Sequence, residues 1–390
     1  MTDAQIYLDH NASTPVDEAV IQRILVAMRE LPGNPSAVDH PDGAAAAAAI
    51  EEARETVATG IGARAADILF VSGATEANNL AILGAIHKQR QKGCRRVITV
   101  ATEHPSVLET IKHSVPAEDT VILPVNDQGL FDLDRLEREL RSNVALVSCM
   151  AANNETGVRH PVAEIGNLCD RYGALFHCDL TQLTAYEEID VGSANIHLAS
   201  LSGHKMYGPK GVGALYCRRR RPHVALEPLV RGGGQERGLR SGTLNTGGIV
   251  GLGAAFELRR SRLTRATDIA ALRDRLESRL VAETDAHVNG GEVSRLPNSL
   301  NLSIAEVEPL ALMRRLTSRI TFSSSSACST QSIDDSHVLE AMFGVGDSRT
   351  RSAFRLGLGF GTTEQEIETT ADLFAQTVND IRRGRVGSAA

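Results

Sequence analysis

The sequence predicts an α/β protein with a mostly parallel sheet flanked by helices, followed by a smaller α+β domain. Three observations carry this. From about residue 40 to 255, short apolar runs alternate with helical patterns, and such βαβα alternation builds a parallel sheet sandwiched by helices. The strand-like "DILFVSG" stops at a glycine just before the helical "TEANNLAILGAIHKQRQ", and ligands in such sheets bind at the carboxyl ends of strands. Later, "LPNSLNLSI", "ITFSSSSA" and "FRLGLGF" read as strands of a second unit, closed by the helix "TEQEIETTADLFAQTVNDIRRG".

In chain order, "AAAAAIEEARETVATGIG" is a helix closed by glycine, its alanine run simply a good helix former. After "DILFVSG" and its helix come "RVITVA", "VLETIKHS", "TVILPV", "LDRLERELRS", "VALVSCMA", "VAEIGNLCDRYG" and "ALFHCDL", alternating strand and helix. "HLASLSGHKMYGPKGVGALYC" reads as two buried strands joined by a polar, glycine-punctuated turn. One long helical pattern runs from about Val250 to Ala282 and leads into the second unit. No internal repeat or low-complexity linker interrupts the chain.

At 390 residues there is room for two domains. Hydrophobic content of 42% and charged content of 23% are ordinary for a globular protein. The net charge of −7 gives no general attraction to nucleic acid or anionic membrane. The basic runs at Arg218–Arg221 and "HKQRQKGCRR" read as solvated element ends. No apolar run approaches the roughly 20 residues of a membrane span, and "MTDAQIYLDH" has no signal-peptide character, so a cytoplasmic location is expected. Of six cysteines none forms a CxxC pair, so no metal site is expected. Cys149, Cys178 and Cys217 lie in apolar runs and Cys169 on a helical pattern, settings for inert packing. Cys328, in "TFSSSSACSTQS", has polar loop on both sides, where a thiol can react.

Lysine is scarce: five (Lys88, Lys92, Lys112, Lys205, Lys210) against thirty-six arginines. An amine can lose its proton and attack a carbonyl, whereas a guanidinium effectively cannot. Lys205 sits in the polar turn between two apolar strands; Lys210, in "YGPKG", is the rival amine and looks solvated. In "FVSGATEANN", Gly73, Ala74 and Thr75 open a helix whose free N–H groups suit a phosphate, although Thr75 could equally be a plain N-cap. That stretch is neither a Rossmann nor a Walker fingerprint. Asp179 and Gln182 lie just past the buried strand "FHCDL". An acid there calls for a partner, and a cationic ring nitrogen or a salt bridge would each serve. A lysine, a strand-end aspartate and a phosphate-type helix start together describe a pyridoxal phosphate site. His104, in "ATEHPSV", is placed to stack on the ring.

These motifs closely resemble the NifS/IscS-type cysteine desulfurases among the fold-type I pyridoxal phosphate enzymes. The likeness runs from "YLDHNASTP" and "GNPSA" through "SGATEANNLAI", "TEHPSV", "NNETG", "HCDLTQ", "SGHKMYGPKGVGALY", "GGGQERGLRSGT" and "PNSLNLS" to "SSSSAC" and "FRLGLG". The resemblance implies a seven-stranded-type cofactor-binding sheet in residues 13–255. It also implies a small domain built from residues 1–12 and 256–390, carrying the cysteine loop. Lys205 would carry the cofactor's aldehyde, Asp179 would pair with the ring nitrogen, and His104 would stack and act as acid/base. Asn154 and Gln182 would bond the phenolic oxygen; Ala74, Thr75, Ser202 and His204 would hold the phosphate. Thr243 would reach the partner's phosphate, implying a homodimer with shared sites. Arg355 would bind the substrate carboxylate, with Asn11 and Asn154 also facing substrate. Cys328 would take sulfur from L-cysteine as a persulfide, leaving L-alanine. The long interval from Cys328 to Arg355 resembles the branch that hands sulfur to acceptor proteins. Those acceptors serve iron–sulfur assembly, tRNA thiolation or DNA sulfur modification.

Two departures stand out. Ser325 occupies the loop position where the family usually has glycine, and Gly357 and Gly361 read as looser than the usual residues after Arg355. Other readings remain on the same scaffold: selenocysteine lyase, aminotransferase or epimerase chemistry, or a silent scaffold. A nicotinamide oxidoreductase lacks its glycine fingerprint here.

Overall fold

The computed structural model describes residues 5–220, 223–324 and 335–387, the last three as backbone only. The chain enters through strand β1 (Ile6–Tyr7) and helices α1 (Glu18–Glu30) and α2 (Pro41–Thr59). Asp17 caps α1 by accepting from the Ala19 amide, and Pro41 starts α2 with a preset φ. Next come β2 (Ile68–Val71), α3 (Ala74–Arg90), β3 (Arg96–Val100), α4 (Pro105–Ser114), β4 (Thr120–Leu123) and α5 (Leu133–Leu140). The large unit ends with β5 (Val144–Ser148), α6 (Val162–Tyr172), β6 (Leu175–Asp179), β7 (Leu198–Ser202) and β8 (Gly213–Cys217).

These strands form a seven-stranded sheet ordered β2-β8-β7-β6-β5-β3-β4. It is parallel except at β8, which runs antiparallel to both neighbours. Strands β5 to β8 are buried along their whole length, as their unbroken apolar reading requires when helices cover both faces. The carboxyl ends of β3, β5, β6 and β7 therefore open together on one side of the sheet.

The expected single helix across 250–282 is two helices, α7 (Thr246–Leu263) and α8 (Ala266–Thr284). The Thr264 hydroxyl donates to the Ser261 carbonyl (2.7 Å), satisfying an end carbonyl that a continuous helix would have used. The break lets the chain change partners: α7 packs on α1 and α2, and α8 on the last helix.

The remaining elements are β9 (His287–Val288), β10 (Ser299–Ser303), α9 (Pro309–Leu316), β11 (Ile320–Thr321), β12 (Ser323–Ser324), α10 (His337–Phe343), α11 (Ser348–Arg351), β13 (Ala353–Gly357) and α12 (Glu364–Gly387). Four of them make an antiparallel sheet, β12-β13-β10-β9. The run "ITFSSSSA" does not form one strand: β11 pairs in parallel with β1, Ile6 opposite Ile320, while β12 joins β13. Phe322, Phe354 and Phe374 pack with ring centroids 5.0–6.1 Å apart, fastening this sheet to α12. Among the described residues, no helix is long and apolar enough to cross a membrane.

Candidate active site

A cleft of about 550 Å³ lies where the sheet's carboxyl ends meet the start of α3. Nine of the residues singled out from the sequence line it: Ala74, Thr75, His104, Asn154, Asp179, Gln182, Ser202, His204 and Lys205. Lys205 closes a tight turn after β7, and its Nζ donates to the carbonyl of Asn11. Gln182 Nε2 donates to the same carbonyl (3.0 Å). Asn11 thus offers its backbone to the cleft. Its side chain is committed elsewhere, accepting from Asn298 Nδ2 (2.7 Å) and donating to Ser299 Oγ (2.9 Å).

Asp179 ends β6, is buried, and has both carboxylate oxygens bonded. Oδ1 accepts the Thr181 amide (2.9 Å) and Oδ2 accepts Asn78 Nδ2 (2.9 Å). The other hydrogen of the Asn78 amide goes to Ser106 Oγ (2.8 Å). Ser106 in turn donates to His104 Nδ1 through its amide (3.0 Å) and its hydroxyl (2.8 Å). The amide donor at Nδ1 assigns the ring proton to Nε2. Burial lowers the His104 pKa, with Asp179 opposing and Lys205 reinforcing, so the ring is neutral near pH 7. Asn78 and Ser106 were not singled out from the sequence, although Asn78 lies one helical turn after Ala74 in a quoted motif.

The α3 N-terminus opens on the cleft. Gly73 is the N-cap at φ 154°, ψ −178°, with no capping side chain, a conformation close to glycine's own. Thr75 is therefore not the cap, and the N–H groups of Ala74 and Thr75 lack intrahelical partners by position. Ser202 and His204 line the same cleft. Burial, aided by the charges of Lys205 and Lys210, pushes the His204 pKa to about 4. Lys210 is exposed, as its turn suggested, yet it also lines the cleft, so the solvated reading is incomplete.

Arg355, on β13, is 1% exposed and lies just behind the cleft wall. Its Nη1 donates to the Asn154 carbonyl (3.0 Å) and its Nη2 pairs with Asp9 (3.1 Å). Asp9 belongs to the quoted "YLDHNASTP" but was overlooked as a partner for that arginine. Gly357 is not loose: a Cβ there would sit 2.7 Å from Asn11 N and from Asn11 Oδ1, whereas one on Gly361 would meet open space. Of the other residues, Thr243 is exposed and lines no part of its own cleft. Cys328 and Ser325 lie outside the described residues. Arg218, expected to be solvated, is 5% exposed beside Tyr216. Cys149, Cys169, Cys178 and Cys217 are buried, and burial raises all four thiol pKa values, that of Cys217 to about 12. Cys94 is half-buried, just after the turn that ends α3.

The aminotransferase class-V family matches residues 6–370. A cysteine desulfurase IscS of Anaeromyxobacter sp. (strain Fw109-5) is 45% identical over 381 residues, covering 97% of this chain and 93% of that protein. The chain belongs to the NifS/IscS-type cysteine desulfurases. Among solved structures, a NifS-like protein is similar to this desulfurase at a TM-score of 0.87 and 34% identity, with 96% of this chain and 100% of that one covered. SspA in complex with cysteine is similar at 0.79 and 35%, with 91% and 99% covered. The desulfurase family and the mostly parallel α/β architecture read from the sequence both hold.

Proposed function

We propose that this protein converts L-cysteine to L-alanine and captures the sulfur as a persulfide on Cys328, using pyridoxal 5′-phosphate. The observation that carries the reading is the meeting, in one cleft, of an amine, a strand-end carboxylate and a helix N-terminus flanked by a hydroxyl and an imidazole. The residues fit the cofactor. A Cβ on Gly73 would meet no atom within 4 Å, leaving space before the α3 amides for an anion. Ala74, Thr75, Ser202 and His204 would hold the phosphate, with Thr243 added by a partner subunit. Lys205 would carry the aldehyde, Asp179 would pair with the ring nitrogen, and Asn154 and Gln182 would bond the phenolic oxygen.

When bound, pyridoxal phosphate supplies a cationic electron sink that lowers the barrier to removing the substrate's Cα proton. Arg355, held by Asp9 and the Asn154 carbonyl, would bind the substrate carboxylate by exchanging one of those partners for it. Neutral His104 holds its proton at Nε2, where it can be passed to a substrate group. The Cys328 thiolate then attacks the substrate sulfur. An S–S bond forms, the substrate's Cβ–S bond breaks, and its electron pair ends with a proton on the methyl carbon of alanine. One thiol plus L-cysteine thus gives one persulfide plus L-alanine, with no other oxidant. An acceptor protein then removes the sulfur. The solved complex of SspA with cysteine supports this substrate class.

The test is mass spectrometry after a single turnover, with alanine measured alongside. Persulfide on the Cys328 peptide matched by alanine is expected. Persulfide only on peptides lacking Cys328, in active enzyme, overturns the assignment.

A further inference from the structure

The outer edge of β2 is closed by side chains. An edge strand presents unpaired N–H and C=O groups, but here the Phe70 amide donates to Glu236 Oε2 (2.8 Å). The Ile68 carbonyl accepts from Arg54 Nη1 (3.0 Å) and Arg237 Nη2 (2.5 Å). Arg54 and Glu236 form a two-pronged pair at 2.7 and 2.8 Å, with side chains 4% and 2% exposed. The guanidinium also lies over the Phe70 ring, 4.6 Å from its centroid. Breaking one side of such a pair leaves a buried charge unmatched.

The pair holds a strained segment. Glu236 and Arg237 adopt left-handed φ of 46° and 59°, unfavourable for residues with a Cβ. The segment is also pinned at the cleft: Arg240 Nε donates to Glu76 Oε1 (2.9 Å), and Glu76 Oε2 accepts the Ser72 amide (2.7 Å) at the start of α3. It closes on itself through the Gly242 amide to Gln235 Oε1 (2.9 Å). Beyond that closure Thr243 is exposed. It does not line the cleft of its own chain.

We infer that the buried Arg54–Glu236 pair is a positioning element that presets loop 231–243, so that Thr243 is delivered to the cofactor phosphate of a second copy. The inference rests on the shared-site reading above. Presetting spares the loop an ordering cost at assembly.

The test follows the rate at which holoenzyme loses pyridoxal phosphate, with dimer content measured by sedimentation, for wild type, Glu236→Gln, Thr243→Ala and the double variant. Glu236→Gln is expected to remain dimeric and lose cofactor about tenfold faster, the scale of one weakened hydrogen bond to a charged group. The double variant should lose it no faster than Thr243→Ala, because both act through one contact. A wild-type rate for Thr243→Ala defeats the shared-site reading itself. Fast loss in Thr243→Ala beside a wild-type rate in Glu236→Gln, or additive effects in the double variant, defeats only the positioning role. Arg54→Lys, which keeps the charge but loses the fork, replaces Glu236→Gln with the same outcomes should that variant fail to fold.

Discussion

Asn78 uses both hydrogens of one amide, holding Asp179 with one and Ser106, the tether of His104, with the other. Two groups read separately from the sequence are thereby one unit, and Asn78→Ala should disturb both. Each lost bond is worth about 1 kcal/mol, rising to about 1.5–3 where the acceptor is charged. Faster cofactor loss and a lower kcat together are expected; an unchanged rate of cofactor loss would separate Asp179 from this network. Lys205→Ala should fold and bind pyridoxal phosphate noncovalently but lose the visible absorbance of lysine-bound cofactor. Borohydride reduction of wild type should label the Lys205 peptide, and a label on Lys210, which lines the same cleft, would reverse that assignment. Cys328→Ser should keep the absorbance and bind cysteine yet release essentially no alanine, since a hydroxyl is a far poorer nucleophile near neutral pH. Residues whose chemistry is unusual for their setting, such as a scarce lysine in a turn or an acid after a buried strand, were legible in the sequence. Asn78 was not, because an amide on a helix looks ordinary until its neighbours in space are known.

At the scale of elements, periodicity identified the strands and helices of the large sheet, where burial on both faces writes continuous apolar runs. It failed at 250–282, because a two-residue break leaves helical periodicity on both sides intact. It failed also at "ITFSSSSA", where one extended run serves two sheets. Gly357 shows a constraint that spacing does not encode: its missing Cβ makes room for Asn11, whose carbonyl receives Lys205 and Gln182. Gly357→Ala should destabilise by about 1–3 kcal/mol through overpacking and weaken cofactor retention, whereas Gly361→Ala should do neither. Denaturant titration and cofactor-release rates compare the pair directly. Phe374→Ala, in the cluster with Phe322 and Phe354, should cost about 3–5 kcal/mol.

The whole molecule carries a pH dependence set by buried histidines. Burial lowers His10, His160 and His197 from 6.5 to about 4, and moves His177 the same way. The folded chain keeps these rings neutral while the unfolded chain protonates them below pH 6.5. Stability is therefore fully present above that pH and drains away as pH falls towards 4. Each proton taken up only by the unfolded chain removes about 1.4 kcal/mol per pH unit. Burial lowers His104 and His204 as well. Glu103, Glu155 and Glu187, raised by burial, bind protons more readily in the folded chain and oppose the trend, but three carboxyls do not outweigh six imidazoles. Thermal unfolding midpoints should fall steadily from pH 6.5 to 4.5, and a flat profile would contradict these burial assignments.

The parallel pairing of β1 with β11 sets an order of events during synthesis. Ile6 leaves the ribosome first, yet its partner Ile320 follows 314 residues later. At about 5–20 residues per second, that is a delay on the order of tens of seconds. Through this interval β1 has no strand to join, and Asn11 lacks the side chains of Asn298 and Ser299 that fix it. The large sheet can close around β5 to β8 while the nascent chain still lacks its far end. The side chain of the residue whose carbonyl receives Lys205 is anchored only afterwards, so a chain stalled before residue 298 would hold the large sheet without the complete wall of its cleft.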